Sequence, residues 1–300
     1  MTRDRIKRFG EKGPARTRPK PPRPPAPETE MARRPDAPRT SAPRVPAGPD
    51  VASTNPRAFR RPAPDLMALY GFHAVREALR VRKRRLLDIY ATKAAAQKLS
   101  ADIEAAGLSV HIVEAEDLSR RLGANAVHQG VMLEARPFEP LDISDIESKS
   151  GVVLVLDQIT DPHNVGAILR TAAAFRVDAL VMTERHAPEM TGVLAKAASG
   201  GLEHVPIVHV VNLARALESL SDIGYLRVGL DSEGETTLTE AQLTRPLALV
   251  LGGEGKGLRR LTRENCDLVA RLDMSGPIKS LNVSNACAVA LTVAELRLAG

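Results

Sequence analysis

The sequence predicts an α/β protein with two domains behind a basic, proline-rich tail. From residue 66 onward, apolar runs of strand length alternate with segments of helical periodicity, which is typical of layered α/β domains. In the second half the runs are apolar throughout, as in GVVLVLDQI and LALVLGG, so both faces of these strands are expected to be covered in a parallel sheet. The composition, with 43% hydrophobic and 26% charged residues, excludes a fibrous or collagenous protein.

The first 64 residues differ in composition from the rest of the chain. Residues 1–64 contain 15 of the 22 prolines, 16 lysines and arginines and 6 acidic residues, a net charge of +10, whereas the remaining 236 residues carry −4. A segment so rich in proline and so poor in apolar residues cannot bury enough surface to offset the entropy lost on ordering. We expect residues 1–64 to be disordered.

Cysteine usage and hydropathy indicate the compartment. Cys266 and Cys287 are too few for a four-thiolate zinc site or a disulfide framework. No apolar run approaches the length of a membrane span, and the charged N-terminal segment MTRDRIKRFGEKG lacks the apolar region of a signal peptide. The histidines His73, His128 and His163 show no spacing typical of metal ligands. We therefore expect a cytoplasmic protein with no membrane segment and no metal.

Residues 65–138 are predicted to form a small α/β domain. Its helices are predicted at HAVREALR, at AAAQKLSADIEAAG, which Gly107 ends, and at EDLSRRLGA. Its strands are predicted at LLDIYAT, LSVHIVEA and HQGVMLEARP. Residues 139–150 combine turn formers with acidic residues, which is typical of a surface linker.

Residues 151–300 are predicted to form a second domain around a doubly wound sheet. Its strands are predicted at GVVLVLDQI, DALVMTE, HVPIVHVV, YLRVGLD, LALVLGG and LVARLDM. Its helices are predicted at NVGAILRTAAAF, MTGVLAKAAS, NLARALESL, GLRRLTREN and SNACAVALTVAELRLA. This alternation indicates parallel strands with helices on both faces of the sheet.

Three segments rich in glycine, asparagine and serine each follow a predicted strand. They are DPHNVGAILRT at 161–171, LGGEGKGL at 251–258 and MSGPIKSLNVSNA at 274–286. Ligands of open α/β sheets bind outside the carboxyl ends of the strands, so these segments are expected to line one site. The glycine loop lacks the pattern of a P-loop and of GxGxxG, and it follows about the fifth strand of its domain rather than the first. Both features argue against a Rossmann enzyme.

These segments resemble motifs one, two and three of the SpoU/TrmH class of ribose 2′-O-methyltransferases, in the SPOUT superfamily of S-adenosylmethionine (SAM) enzymes. The resemblance covers roughly residues 66–300. LYGFHAVREAL and AVHQGVML are similar to the L30e-like RNA-binding domain of the branch that methylates guanosines in bacterial 23S rRNA. The resemblance implies an L30e-like domain, a C-terminal α/β trefoil-knot domain, and methyl transfer from SAM to a ribose 2′-hydroxyl, most closely that of a guanosine in 23S rRNA.

The resemblance also assigns roles by position. The implied catalytic residues are Arg170, Asn164, Glu254, Asn282 and Ser284, and the implied SAM contacts are Gly252, Leu272 and Leu281. Because a guanidinium stays protonated, Arg170 is interpreted as a stabiliser of negative charge on the ribose oxygen and not as a base. Helix capping is the alternative for the asparagines and the serine, a solvated turn for the glutamate, and core packing for the two leucines.

A basic strip follows the first predicted helix. It consists of Arg80, Arg82, Lys83, Arg84 and Arg85, and it is expected to contact RNA phosphates, with a solvated helix end as the alternative. Aromatic residues make up only 3% of the chain, so RNA shape and phosphates, more than base stacking, are expected to dominate recognition. The resemblance further implies a homodimer.

Two rival functions remain open at the level of sequence. The same chemistry on tRNA is the first, although many tRNA enzymes of this class carry short terminal helices in place of an L30e-like domain. The second is a catalytically silent RNA-binding factor. The presence of Arg170, Glu254, Asn282 and Ser284 argues against that second function.

Removal of residues 1–64 is expected to leave a folded, SAM-binding dimer. The removed segment carries a charge of +10 and few apolar residues, so its contribution should be to RNA affinity through counterion release and not to the core. Thermal unfolding of the full-length and truncated chains, with RNA affinity measured at several salt concentrations, checks this expectation. A large drop in melting temperature on truncation would show that the tail packs against the rest of the protein.

Overall fold

The computed structural model describes residues 66–146, 151–185, 187–188, 190–253, 255 and 257–299. Residues 1–64, for which disorder is expected, lie outside this part of the chain, as do residues 147–150 of the predicted linker. The described residues belong to one compact unit and build two sheets. Within them, no helix combines the length and the apolar character needed to cross a membrane.

The N-terminal sheet has four strands in the order β1-β4-β2-β3. The strands are β1 (Met67–Tyr70), β2 (Leu86–Ala91), β3 (Val110–Ile112) and β4 (Val131–Ala135), with β4 antiparallel to both neighbours and β2 parallel to β3. The helices are α1 (Phe72–Val81), α2 (Lys93–Lys98), α3 (Ser100–Ala106) and α4 (Ala115–Leu122). One face of the sheet packs on α1 and α3 through residues such as Ile89, and the other packs on Leu118 of α4.

Two details of this sheet differ from the sequence prediction. The four-residue strand β1 was not predicted, because its pairing partner β4 lies about sixty residues further along the chain. The single helix predicted over AAAQKLSADIEAAG is wrong, since Leu99 separates α2 from α3 with φ −105° and ψ 4°. The Ser100 hydroxyl donates to the carbonyl of Gln97 at 3.0 Å, a local hydrogen bond that competes with a regular helix.

The C-terminal sheet has seven strands, all parallel, in the order β7-β6-β5-β10-β8-β11-β9. The strands are β5 (Val152–Asp157), β6 (Ala179–Thr183), β7 (Ile207–Val210), β8 (Leu226–Leu230), β9 (Thr236–Thr237), β10 (Leu247–Gly252) and β11 (Leu268–Arg271). The helices are α5 (Pro162–Ala174), α6 (Gly192–Ala198), α7 (Leu213–Asp222), α8 (Arg260–Glu264) and α9 (Val283–Ala299). The six predicted strands are all present, and the short β9 was not predicted.

Burial on both faces explains why the central strands are apolar throughout. Along β5, Leu154 and Leu156 join the core that also contains residues of α5, α6 and α9. The alternating residues Val153 and Val155 join a second core with α7. Successive strand side chains point to opposite faces, so each face requires its own apolar set. The prediction of a covered parallel sheet is confirmed.

A buried ion pair joins the N-terminal sheet to the C-terminal part. The Arg84 guanidinium lies 2.9 Å from a carboxylate oxygen of Glu203, with the two side chains 1% and 2% exposed. The guanidinium also stacks over the ring of Phe138, 3.8 Å from the centroid. Burial lowers the pKa of Arg84 and raises that of Glu203, so each charge depends on the other for stabilisation. The prediction that Arg84 contacts RNA phosphates is wrong, because its side chain is enclosed in this junction.

Replacement of Arg84 by methionine is expected to destabilise the protein by about 3–5 kcal/mol, because it leaves the Glu203 carboxylate buried without its partner. Chemical denaturation of the purified variant measures the loss. The double variant with Glu203→Met should recover most of it, since an apolar pair of similar volume replaces the ions. The exposed pair of Arg120 and Asp117 provides the control, where Arg120→Met should cost less than about 1 kcal/mol. Equal losses at both pairs would contradict the importance of the junction.

Candidate functional site

The three segments singled out by sequence follow strands of the same parallel sheet. The first follows β5, the glycine loop follows β10, and the third follows β11. Because β5 and β10 are hydrogen-bonded neighbours and all strands are parallel, these segments emerge at one edge of the sheet. That edge is the candidate site.

A polar cluster joins the first and third segments. The Asn282 side-chain amide donates to the Oδ1 atom of Asn164 at 3.0 Å, across 118 residues of sequence. The Oδ1 atom of Asn282 accepts from both the backbone N–H (2.9 Å) and the hydroxyl (2.6 Å) of Ser284. One carboxamide therefore connects the start of α5 to the start of α9, and three of the predicted catalytic residues lie together.

Helix capping explains part of this cluster. Asp161 is the N-cap of α5 and accepts from the His163 N–H at 3.0 Å, with Pro162 in the first turn. Asn164 is therefore not the cap of α5, and its side chain is directed at Asn282. Asn282 acts as a cap of α9 through the Ser284 N–H, so the capping alternative is correct for Asn282, and its catalytic role stays a prediction.

Arg170 lies on the exposed face of α5. It follows Gly166 by one turn, and Gly166 packs so tightly against α6 that a side chain there would collide with Ala197. Within the described residues, the Arg170 side chain has no hydrogen-bond or ion-pair partner. Arg170 lies about 9 Å along the helix axis from Asn164, six residues away.

The described glycines at the two ends of the glycine loop lie close together. A side chain at Gly252 would collide with the backbone of Gly257, and Gly253 forms a bridge to Gly257 with a 3.1 Å hydrogen bond from the Gly257 N–H to the Gly253 carbonyl. A Cβ at Gly253 would lie 3.0 Å from the carbonyl oxygen of Gln158, so the loop also touches the segment that follows β5. The predicted catalytic residue Glu254 lies outside the described residues, and its role stays a prediction.

The predicted SAM contacts occupy different environments. Gly252 is the last residue of β10, and Leu272, directly after β11, packs partly against the main core. Leu281 is 41% exposed and Ile278, in the same segment, is 74% exposed. These exposed apolar side chains precede the polar cluster of α9, and a loop of glycine backbone lies at the same edge. An adenosine requires backbone hydrogen bonds and apolar contact with its ring, and this set of residues fits that requirement.

Two carboxylates of the site were not predicted. Asp157 ends β5 and is fully buried, and Asp231 directly follows β8. Both contact the residues by which the chain leaves the glycine loop. The signal was present in the sequence, because GVVLVLD and YLRVGLD both end an apolar strand with Leu-Asp.

The other members of the basic strip lie at the surface, and they differ in how far neighbouring groups pair with them. Arg80 binds Asp102 at 2.9 Å, and Arg82 donates to the carbonyl of Ala105 at 2.6 Å. Lys83 and Arg85 are exposed. The strip continues to a residue that the sequence did not single out, since the backbone N–H of the exposed Arg136 donates to the carbonyl of Arg85 at 2.9 Å. This bond places two exposed arginines side by side, just outside the ends of β2 and β4.

The histidines considered as metal ligands lie in different environments. The Nδ1 atom of His128 accepts from the Gly130 N–H at 3.1 Å, and its Nε2 atom lies 3.0 Å from the hydroxyl of Ser119. Burial lowers the pKa of His128, which favours the neutral ring that this pattern needs. His73 and His163 are exposed. Among the described residues, no three acidic, histidine or cysteine side chains are grouped as metal ligands would be.

Family models match both parts of the chain. Residues 151–292 match the family described as SpoU rRNA methylase. Residues 68–141 match the family described as RNA 2′-O ribose methyltransferase substrate binding. The three predicted motifs all lie within the first match, and the basic strip lies within the second.

Known proteins resemble the chain over most of its length. It is 38% identical over 232 residues to the 23S rRNA (guanosine-2′-O-)-methyltransferase RlmB of Yersinia pestis, covering 74% of this chain and 94% of that protein. The RlmB of Pasteurella multocida is 39% identical over 233 residues, covering 74% and 95%. The SpoU methyltransferase AviRb of Streptomyces viridochromogenes, solved in complex with AdoMet, superposes with a TM-score of 0.65 at 22% identity over 77% of this chain and 89% of that one. This likeness confirms the predicted SPOUT fold class, and the sequence matches show that the chain belongs to the SpoU rRNA methylase family.

Proposed function

We propose that this protein transfers a methyl group from SAM to the ribose 2′-hydroxyl of a guanosine in 23S rRNA. The chain aligns with nearly the whole length of relatives named as 23S rRNA guanosine methyltransferases, which supports the substrate class. The AdoMet-bound neighbour supports the cofactor. When bound, SAM supplies an electrophilic methyl and its own leaving group.

The contact between Asn164 and Asn282 carries the proposal. It brings the first and third motifs within hydrogen-bond distance at the carboxyl edge of the sheet, next to the glycine loop that follows the neighbouring strand. Short amide and hydroxyl side chains at such a place suit the hydroxyls of a ribose, which both donate and accept hydrogen bonds.

The residues of the site divide the work between charge and orientation. Arg170 stabilises the negative charge that grows on the ribose oxygen as its proton leaves, because its guanidinium is a fixed cation. Asn164 and Asn282 hold the ribose in one orientation, and Ser284 fixes the Asn282 carboxamide. Gly252, Leu272 and Leu281 hold the nucleoside part of SAM, and Glu254 orders the glycine loop or the substrate.

The N-terminal sheet binds RNA through phosphates. The exposed cations Arg82, Lys83, Arg85 and Arg136 form its contact surface, with Arg80 at the margin because Asp102 partly neutralises it. The small number of aromatic residues leaves shape and charge as the main means of recognition. Residues 65–138 and 151–300 act as the RNA-binding and methyl-transferring domains.

The active species is a homodimer in the cytoplasm. Helix α9 is apolar along most of its length and starts at the polar cluster, yet Val289 and Leu296 are 43% and 72% exposed. Seven residues are two helical turns, so Val289 and Leu296 lie on the same side of the helix, and a contiguous exposed apolar patch is typical of an interface. Light scattering should give twice the chain mass of 32.3 kDa.

Methyl transfer to purified 23S rRNA and to total tRNA, measured side by side with a tritiated methyl donor, tests the substrate. Labelling of 23S rRNA but not tRNA is expected. Efficient labelling of tRNA alone would contradict the rRNA assignment.

The charge-reversal variant Lys83→Glu/Arg85→Glu should weaken binding to all RNAs and reduce the slope of affinity against salt, because it removes two phosphate contacts.

Replacement of Arg170 by alanine is expected to lower methyl transfer by at least about 100-fold while SAM affinity changes little, because the charge acts on the ribose oxygen and not on SAM. Calorimetric titration of SAM and single-turnover methyl transfer measure the two effects. Arg215→Ala is the matched control, since Arg215 is an exposed arginine on α7, which packs on the opposite face of the sheet. Transfer by the Arg170 variant at the rate of this control would exclude the assigned role.

A further inference from the structure

We infer that Asp157 and Asp231 are positioning residues that hold the glycine loop in its SAM-binding shape before SAM arrives. This inference rests on the proposed function, because it takes the loop of residues 252–258 to be part of the SAM site. Neither carboxylate needs to touch the cofactor. Each contacts the last residues of the loop segment, 257–259. Asp157 does so from the end of β5 and Asp231 from the end of β8, the two strands that flank β10.

Asp157 interacts with both ends of the loop segment. In the ladder between β5 and β10, Asp157 is the register partner of Gly252, the first glycine of the loop. Its carboxylate accepts from the backbone N–H of Arg259 at 3.0 Å and from the Arg259 Nε at 2.6 Å. The two ends of an eight-residue segment are therefore fastened to one residue.

Asp231 contacts residues 257 and 258 from the other side of β10. Its Oδ2 atom accepts from the Leu258 N–H at 3.3 Å and would lie 2.7 Å from a Cβ at Gly257. Its Oδ1 atom accepts from the Glu233 N–H at 3.0 Å, which fixes the carboxylate in a turn of its own. Arg263 lies 3.5 Å from Oδ2. Both carboxylates are therefore held rigidly where they meet the loop.

The ladders of β10 do not reach residues 257–259. The ladder with β8 ends at Leu251, and the ladder with β5 ends one pair later, at Gly252 and Asp157. A carboxylate that is fully buried, as that of Asp157 is, is costly to desolvate unless it is paired and hydrogen-bonded. The cost is offset by bonds to the loop exit alone among the described residues, so what these bonds determine is the shape of the loop.

A loop held in one shape binds its ligand without a further ordering cost. If loosening of the exit leaves the binding-competent shape only partly populated, the apparent affinity falls by that same fraction. The rate of methyl transfer at saturating SAM should change little, because bound SAM restores the shape. Separate effects on affinity and rate therefore distinguish a positioning role from loss of folded protein.

The experiment compares Asp157→Asn, Asp231→Asn and Arg259→Lys with wild type in the full-length chain. SAM affinity is measured by calorimetry, kcat and KM by methyl transfer, and loop order by hydrogen exchange of the protein without ligand. We expect the Kd for SAM to rise at least about tenfold in each aspartate variant and less in Arg259→Lys, which keeps the charge and the backbone bond. Exchange should accelerate in residues 252–259 and stay slow in residues 247–251.

Arg260→Gln is the matched control, because Arg260 is adjacent to Arg259 but 77% exposed and, among the described residues, paired only with Glu264 of its own helix. Unchanged SAM affinity and unchanged loop exchange in folded aspartate variants would overturn the inference. A lower melting temperature with unchanged SAM affinity would overturn it equally. Failure of wild type to bind SAM would refute the proposed function instead, and the exchange data would then decide whether the carboxylates hold the loop. If Asp157→Asn does not fold, the Asp231 and Arg259 variants decide.

Discussion

The parallel ladder that places β10 between β5 and β8 is the constraint on which the site depends. Leu251 is in register with Leu156 on one side and Leu230 on the other, so the three strands end at the same level. Whatever follows each strand must therefore meet at one edge. The start of α5, the glycine loop and the turn after β8 are neighbours for this reason alone.

Much of the sheet and of the site at its carboxyl edge could be predicted, because the strands and the loops after them have recognisable local sequence patterns. Strands such as GVVLVLD are apolar at every position, which is typical of strands covered on both faces, and the glycine and asparagine segments mark where they end. The meeting of Asn164 with Asn282 follows from parallel strands once the motifs are placed at their carboxyl ends. The two-residue strand β9 escaped prediction because it carries no periodicity of its own, and β1 because the strand that pairs with it lies far along the chain.

Features that depend on distant partners could not be predicted in the same way. Arg84 belongs to a run of exposed cations in the sequence, and only the carboxylate of Glu203, 119 residues later, explains its burial. Asp157 is similarly bound to a residue 102 positions away. In both cases the local sequence gives the residue type but not its partner, and the partner decides whether the charge faces water, RNA or the interior.

The buried Arg84 has a geometric consequence for the residues on either side of it. Lys83 and Arg85 point outward because the residue between them points inward and is anchored to Glu203, which directly follows the α6 region packed on α5. The ion pair fastens the turn that carries these two cations to the short segment 201–203, and that segment packs on α5, the helix of Arg170. Under the proposed function, an RNA phosphate bound at this turn and the ribose at Arg170 are therefore connected through packed elements of one compact unit.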